Sequence, residues 1–356
     1  MYSEESLQMI PDYTRHVPYL RTALGPQAMA FQDGRRVNFD ISQGYWTPPY
    51  SPRQAYRLEE KQIGRRLHLP ALVSLSDHDD IRAGSQLQVI DRFRKAPVSN
   101  EWTIPFGRTF FHLGVHNVPV DRSSAITGEL ATYTAHPEPE RLGEILANLN
   151  SNPELLMVVN HPLWDEKGIG AALHRQELKR LLAEQGRHFH ALELNGLRSW
   201  NENQQVIRLA RELNLPSISG GDRHGREPNA ILNLSTAESF SGFVEEVRYA
   251  RTSHVLFMPQ YRENTSVRLL QMVVEVLSDC PENAAGRRLW TDRIYWRDVE
   301  TGAALSLTSA WRNGVPYSVR HLVNALRLSQ WRGVRSALRL ALENRGADWA
   351  VGESAG

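Results

Sequence analysis

The run LLMVVN at residues 155–160, closed at once by His161 and Pro162, is short, apolar and ends on a side chain able to bind a metal. Behind it GAALHRQELKRLLAEQG (170–186) reads as a helix, and HALELN (190–195) is a second apolar run. This strand–helix–strand unit sets the pattern of the chain. Upstream lie the strand candidates RVNFDI (36–41) and PALVSLS (70–76), then the pair SNEWTIPF and RTFFHLGV within 99–115. Downstream lie LPSISG (215–220) and HVLFM (254–258). Helix candidates fill the gaps: SPRQAYRLEEKQIGRRL, HPEPERLGEILANLN, NENQQVIRLARELN and SFSGFVEEVRYART. In the third of these, Val206, Leu209, Ala210 and Leu213 recur at helical spacing and predict one buried stripe. Such repetition over roughly 220 residues predicts an α/β architecture with a mainly parallel sheet. About seven strands in a segment of that length fit a closed or nearly closed barrel better than a small open sheet.

Past about residue 261 the character changes. NTSVRLLQMVVEVLSD reads as a helix, and the Trp-rich CPENAAGRRLWTDRIYWRDVETGAAL as irregular. The chain then runs into the basic amphipathic stretch SVRHLVNALRLSQWRGVRSALRLALENRG. The predicted organisation is an N-terminal extension at 1–30, a barrel domain at 31–260 and a mainly helical C-terminal extension at 261–356.

Composition excludes several classes. Lys+Arg number 41 against Asp+Glu 40, so a net charge of +1 gives no global attraction to nucleic acid. Only four basic residues are lysine, a skew we read as codon bias rather than phosphate binding. Cys280 stands alone, so no intrachain disulfide is expected. The first twenty residues carry no signal-peptide pattern, and no window approaches the ~20 apolar residues of a membrane span. The expectation is a soluble, cytoplasmic protein. No G-x-G-x-x-G follows a strand and no Walker A pattern occurs.

The ionisable residues are informative by position. Asp40 lies near the end of its strand candidate, Asp77 and His78 follow the next, and Glu101 and His112 lie in the paired segments, eleven positions apart. His116 follows, then His161, Glu193 in HALELN, and Asp222 with His224 after SISGG. In a parallel barrel the C-terminal strand ends converge on one face, where such residues meet. Carboxylates with imidazoles suit Zn, Mn or Fe, and a shared carboxylate can bridge two ions. Each residue also has an ordinary structural reading: Asp77–Asp80 as a helix cap, His161 before Pro162 as a turn, Gly220-Gly221-Asp222 as a loop. His188 and His190 precede the apolar core of their strand and read as structural or surface residues.

Five segments, in order, resemble the motifs of the polymerase and histidinol phosphatase (PHP) family. SLSDHDD resembles its T-D-H-D motif, EWTIPFGRTFFHLG its Glu followed by a hairpin ending in His, and VVNHP its strand-then-His-Pro. ALELNG and SGGDRHG resemble the following strand and the closing G-S-D-x-H. The resemblance implies a distorted seven-stranded barrel holding divalent ions (Mn, Zn, Fe or Mg, two of them). It implies that Glu101 bridges, that His112 and His161 complete one ion, that Asp222 joins Glu101 on the other, and that His78 and His224 hold or approach a third position. His112 is preferred to His116, since its spacing from Glu101 and the following Leu-Gly match. One motif departs: where the family opens with H-x-H, this chain reads Phe39-Asp40-Ile41-Ser42, leaving Asp40 as an oxygen ligand.

The activity implied is hydrolysis of a small phosphate ester by a metal-bridged hydroxide. His78 or His224 would act as general acid and Asp77 as an orienting neighbour, with Arg223, Arg248 and Arg251 as candidates for gripping phosphate. Two alternatives stay open: metal-dependent cleavage of a C–N bond, and a catalytically silent scaffold that binds a partner through the Arg320–Arg345 segment. In that segment Leu322, Leu326, Trp331, Val334, Leu338 and Leu342 alternate with arginines.

Overall fold

The computed structural model describes residues 5–6, 44–297, 301–331 and 333–337. The strand candidate 36–41 with Asp40, and Leu338 and Leu342 of the C-terminal stretch, lie outside the described residues. The chain divides into two compact units. Ser51–Arg223 and Pro228–Tyr261 form the body of the first; Glu4–Tyr50, His224–Glu227 and Arg262–Gly356 form the second.

Numbered along the described residues, β1 (Glu5–Ser6) and β2 (Gly44–Trp46) belong to the second unit. The first unit holds β3 (Leu75–His78), β4 (Val98–Phe106), β5 (Thr109–His116), β6 (Leu156–Asn160), β7 (Ala191–Asn195), β8 (Ser217–Gly220), β9 (Ile231–Leu234) and β10 (His254–Phe257). Among the described residues β3 to β8 form one sheet in chain order. β3/β4, β6/β7 and β7/β8 are parallel, while β5 runs antiparallel to both of its neighbours. β9 and β10 form a separate antiparallel pair. The unit is thus mixed α/β, with helices between most strands.

Strand alternation sorts the two faces of this sheet. Trp102, Ile104, Phe111, Leu113, Val115, Met157, Val159, Leu192 and Leu194 fall on one parity and join the largest core cluster. The opposite parity divides along its length. Leu156, Val158, Ala191 and Ile218, at the strand starts, pack with Phe240, Phe243 and Val244. Glu101, His112, Asn160, Glu193 and Asn195 occupy the same parity further along, so the apolar half of this face gives way to a polar half.

Local rules place the flanking helices. In Pro52–Leu67, Ser51 caps the N-terminus in a reciprocal box with Gln54, Pro52 begins the helix and His68 leaves it in left-handed conformation. Pro139–Ser151 buries Leu142, Ile145, Leu146 and Leu149, the i, i+3, i+4, i+7 pattern of one face. In Trp200–Glu212, Val206 and Ala210 are buried and Leu209 is packed against the core. Leu213, expected in the same stripe, is 38% exposed because it lies past the last helical turn. No helix among the described residues is long and apolar enough to cross a membrane.

In the second unit β1, β2, β11 (Ile294–Arg297) and β12 (Ala304–Ser306) form an antiparallel sheet in the order β1-β2-β11-β12. The Trp-rich segment read as irregular therefore contributes β11 and the first two residues of β12, and β11 pairs with residues 44–46 on its other side. The expected helices Thr265–Val276 and Tyr317–Leu328 are present. Trp46, Val273, Trp290, Ile294, Trp311 and Val323 share one core, with the Trp290 and Trp311 rings edge to face at 6.0 Å.

Candidate metal centre

The reversal of β5 assembles the site. Because β3 and β4 are parallel, His78 pairs with Glu101; because β5 runs back, Glu101 faces Gly114 and Thr103 faces His112, which in turn faces Asn160. Three strands thus bring His78, Glu101 and His112 onto one face, and among the described residues their donor atoms all lie within 4.8 Å of one another. His161, the residue after β6, comes closer. Its Nε2 is 3.2 Å from His112 Nδ1 and 3.4 Å from Glu101 Oε1, and His112 Nδ1 is 3.6 Å from the same oxygen. On the other carboxylate oxygen His78 Nε2 stands at 3.9 Å.

A second layer fixes these groups. Asn160 Nδ2 donates to Glu101 Oε1 at 3.0 Å. The backbone of His161 is left-handed (φ 27°), and its N–H donates to Glu193 Oε2 at 2.8 Å. Asn195 Nδ2 donates both to Glu193 Oε2 and to Asp222 Oδ2, at 3.2 and 3.3 Å. Asp222, itself at φ 45°, receives Arg198 Nη2 at 2.8 Å. Arg198 in turn lies over the Trp164 ring at 3.7 Å. Glu166, in the loop after His161, brings Oε2 to 3.7 Å from His112 Nδ1.

The electrostatics follow from burial and this contact set. Burial by itself would raise the Glu101 carboxyl, but His78, His161 and His112 outweigh it and hold Glu101 well below the usual carboxylate range. Burial lowers the His112 imidazole to about 4 despite Glu166. Burial would also lower His161, yet its hydrogen bond to Glu101 and the fields of Asp222 and Glu193 carry it up to about 9. Burial pushes Glu193 up to about 7. The cluster therefore draws a positive charge to the point shared by Glu101 and His161. Its geometry fits the same conclusion. Donors bound at 2.0–2.1 Å to one tetrahedral ion stand about 3.4 Å apart, which matches the 3.2–3.6 Å triangle of Glu101, His112 and His161.

No family model matches the chain, and no curated protein matches it. Among solved structures, an amidohydrolase from Chromobacterium violaceum, determined with bound sulfate and no metal, is similar at a TM-score of 0.36 and 14% identity. The likeness covers 63% of this chain and 92% of that one.

Of the residues singled out in the sequence, His78, Glu101, His112, His161 and Asp222 come together in the first unit. His224 belongs to the second unit, where it is buried. Asp77 differs from expectation: it lies inside β3, not after it, and alternates with His78, so it shares its face with Asn100 and not with Glu101. Arg248 is at the N-terminal end of β6. Its guanidinium donates to the carbonyls of Asn150, Asn152 and Leu155, just before β6, at 2.6, 2.5 and 2.9 Å. Arg251 donates to Asn214 O, again ahead of a strand start. Both are thus removed from the strand ends that carry His161 and Asp222. Arg223 is half-buried, and its charge opposes the burial that lifts Glu59 of the helix Pro52–Leu67 to about 7. His116 is the last residue of β5, four positions past His112, and its Nδ1 hydrogen-bonds with Ser74 Oγ at 2.9 Å.

Arg198, Trp164 and Glu166 join the site without being marked in the sequence. Their signal was adjacency: Trp164 and Glu166 directly follow His161, and Arg198 directly follows the Asn195 turn. Nothing in an Arg-rich sequence marks one arginine as buried.

Proposed function

We propose that the chain is a metal-dependent hydrolase of the PHP type, built on that family's distorted seven-stranded barrel, and that it acts on a small phosphate ester. The observation that carries this reading is the triangle of Glu101 Oε1, His112 Nδ1 and His161 Nε2, 3.2–3.6 Å on a side. These three residues would hold the ion, leaving a fourth position for water or substrate as catalytic sites do. A divalent ion there supplies a water nucleophile near neutral pH and a Lewis acid for the phosphoryl oxygens.

The chain's own groups do the rest. Asn160 and Glu193 fix the carboxylate and the His161 backbone, so the donors are set before substrate arrives. His78 is the exposed member of the set, with a side chain 27% accessible against 5% for Glu101. It lines the open side, and its Nε2 is the atom assigned to donate a proton to the departing alkoxide.

The test is elemental analysis of the purified chain with turnover assays on p-nitrophenyl phosphate, bis-p-nitrophenyl phosphate and an amide panel under Mn, Zn, Fe or Mg. Bound metal with phosphate-ester turnover that disappears in Glu101→Gln supports the reading. Turnover of amides alone would transfer the same centre to C–N hydrolysis. Neither metal nor turnover under any ion would leave a scaffold.

A further inference from the structure

We propose that the centre is built for a single cation, the place of a second being taken by the guanidinium of Arg198. This rests on the metal-centre reading above, and goes beyond it by fixing the number of ions.

Two ions need carboxylates to bind both, and beyond Glu101 the described residues of the first unit place Glu166 in this neighbourhood, 3.7 Å from His112 Nδ1, together with Glu193 and Asp222. Glu193 and Asp222 each already accept two protein donors on one carboxylate oxygen. Asp222 Oδ2 accepts from Arg198 Nη2 at 2.8 Å and from Asn195 Nδ2 at 3.3 Å. Glu193 Oε2 accepts from His161 N at 2.8 Å and from Asn195 Nδ2 at 3.2 Å. The triangle around Glu101 Oε1 has its donors at the spacing of one ion's shell.

Arg198 is not a side chain that swings aside. Its side chain and that of Asp222 are 3% and 5% exposed, so the ion pair is desolvated, and separating it would strand two buried charges. The guanidinium lies over Trp164 at 3.7 Å. Its backbone is held at both ends: Arg198 N donates to Asn195 O, and Tyr261 Oη donates to Arg198 O at 3.0 Å. Asn203 clamps the same turn, with Oδ1 receiving Asn195 N at 2.9 Å and Nδ2 donating to Asn195 O at 3.0 Å. A guanidinium keeps its positive charge and cannot give up a proton to make room for a metal ion. A cation arriving at Asp222 would therefore meet a fixed like charge in a dry environment.

The experiment counts ions and needs no turnover. The full chain, stripped with a chelator and refilled with Mn(II), is desalted and assayed by elemental analysis and by electron paramagnetic resonance, which separates an isolated ion from a coupled pair. Wild type and Arg198→Lys are expected to retain one equivalent with an uncoupled signal. Arg198→Gln, which removes the charge but keeps a donor, is expected to retain two with the signal of a coupled pair. Two equivalents in the wild type or in Arg198→Lys overturn the proposal while leaving the metal centre standing. One equivalent in a folded Arg198→Gln overturns it as well, since the guanidinium would not be what excludes the second ion. No bound Mn(II) in the wild type overturns the proposal and the metal-centre reading together. Should Arg198→Gln not fold, the counts for wild type and Arg198→Lys decide.

Discussion

The Glu193 carboxylate lies directly over the Cα of Gly220: a Cβ at that position would sit 1.4 Å from Oε1 and 2.6 Å from Cγ. Gly220 closes β8 opposite Asn195, so a main-chain position two strands away from His161 leaves the room in which its supporting carboxylate sits. Gly220→Ala must displace the whole Glu193 side chain. The expected result is a loss of about 1–3 kcal/mol in urea unfolding from overpacking. A 10- to 100-fold weaker Mn(II) affinity should accompany it, as for loss of a group that supports a ligand. An unchanged affinity would show that Glu193 does not set the position of His161.

Metal should stabilise the fold through Glu101. At a free Mn(II) concentration near 100 times the dissociation constant, linkage gives about 2.7 kcal/mol. Thermal unfolding of the wild type is expected to shift upward with added ion, and that of Glu101→Gln to stay where it was. Equal shifts in both proteins would place the ion elsewhere.

The proton donor assigned to His78 has a signature in the leaving group. His78→Asn is expected to keep its metal, since the Glu101–His112–His161 triangle is untouched. It should lose 10²–10⁴-fold on an alkyl phosphate, whose leaving oxygen needs a proton, and far less on p-nitrophenyl phosphate. Parallel losses on both substrates would remove His78 from that role.

Arg248 joins the helix Pro139–Ser151 to the start of β6, with donors on Asn150, Asn152 and Leu155. Arg248→Ala removes the donors of part-buried carbonyls at a helix C-terminus, where a cation is favourable. A loss of about 2–4 kcal/mol is expected in denaturant unfolding, with KM for any phosphate substrate unchanged. A raised KM with intact stability would restore it as a substrate contact.

His190 gives the fold a pH dependence away from the site. Its Nδ1 accepts from Met157 N, its Nε2 donates to Asn150 Oδ1, and burial together with the neighbouring Arg248 lowers the imidazole from 6.5 to about 3. Unfolding lets the ring take a proton below pH 6.5, so the unfolded state binds more protons and stability falls as pH drops from 6.5 toward 3. One such group contributes a slope of up to about 1.4 kcal/mol per pH unit. His116, lowered by burial to about 4, adds to it in the same direction. His190→Asn, which retains an acceptor for Met157 N, is expected to show a shallower acid slope; an identical slope in both proteins would count against this account.

Much of this arrangement is legible in the residues, and the limits are physical. The runs LLMVVN and HALELN are read correctly as strands because every residue of β6 and β7 is buried, and the apolar signal is strong. The strand Ile231–Leu234 escaped, being four residues long with one half-buried and one exposed position. The sequence places this strand over 70–76, too early, because the polar end of β3, Asp77 and His78, reads as a loop; only pairing with β4 shows that both lie within the strand. That shift decides which of the two neighbours faces Glu101. Pairing of β11 with residues near position 45 is equally invisible to local periodicity. Arg198 is the clearest case, since whether an arginine is buried against a carboxylate depends on contacts that a linear pattern does not contain.

The direction of β5 also has a consequence for how the site is born. Glu101 and His112 belong to one β-hairpin, whereas His161 reaches them only when β6 docks, across a sequence separation of 49 residues from His112. Hairpins close in about 1–10 μs, while pairings of long sequence separation wait on slower loop closure. Two of the three proposed ligands thus belong to one local unit that can form before the domain is complete, and His161, carried on its left-handed turn, is the latecomer whose arrival marks the folded sheet.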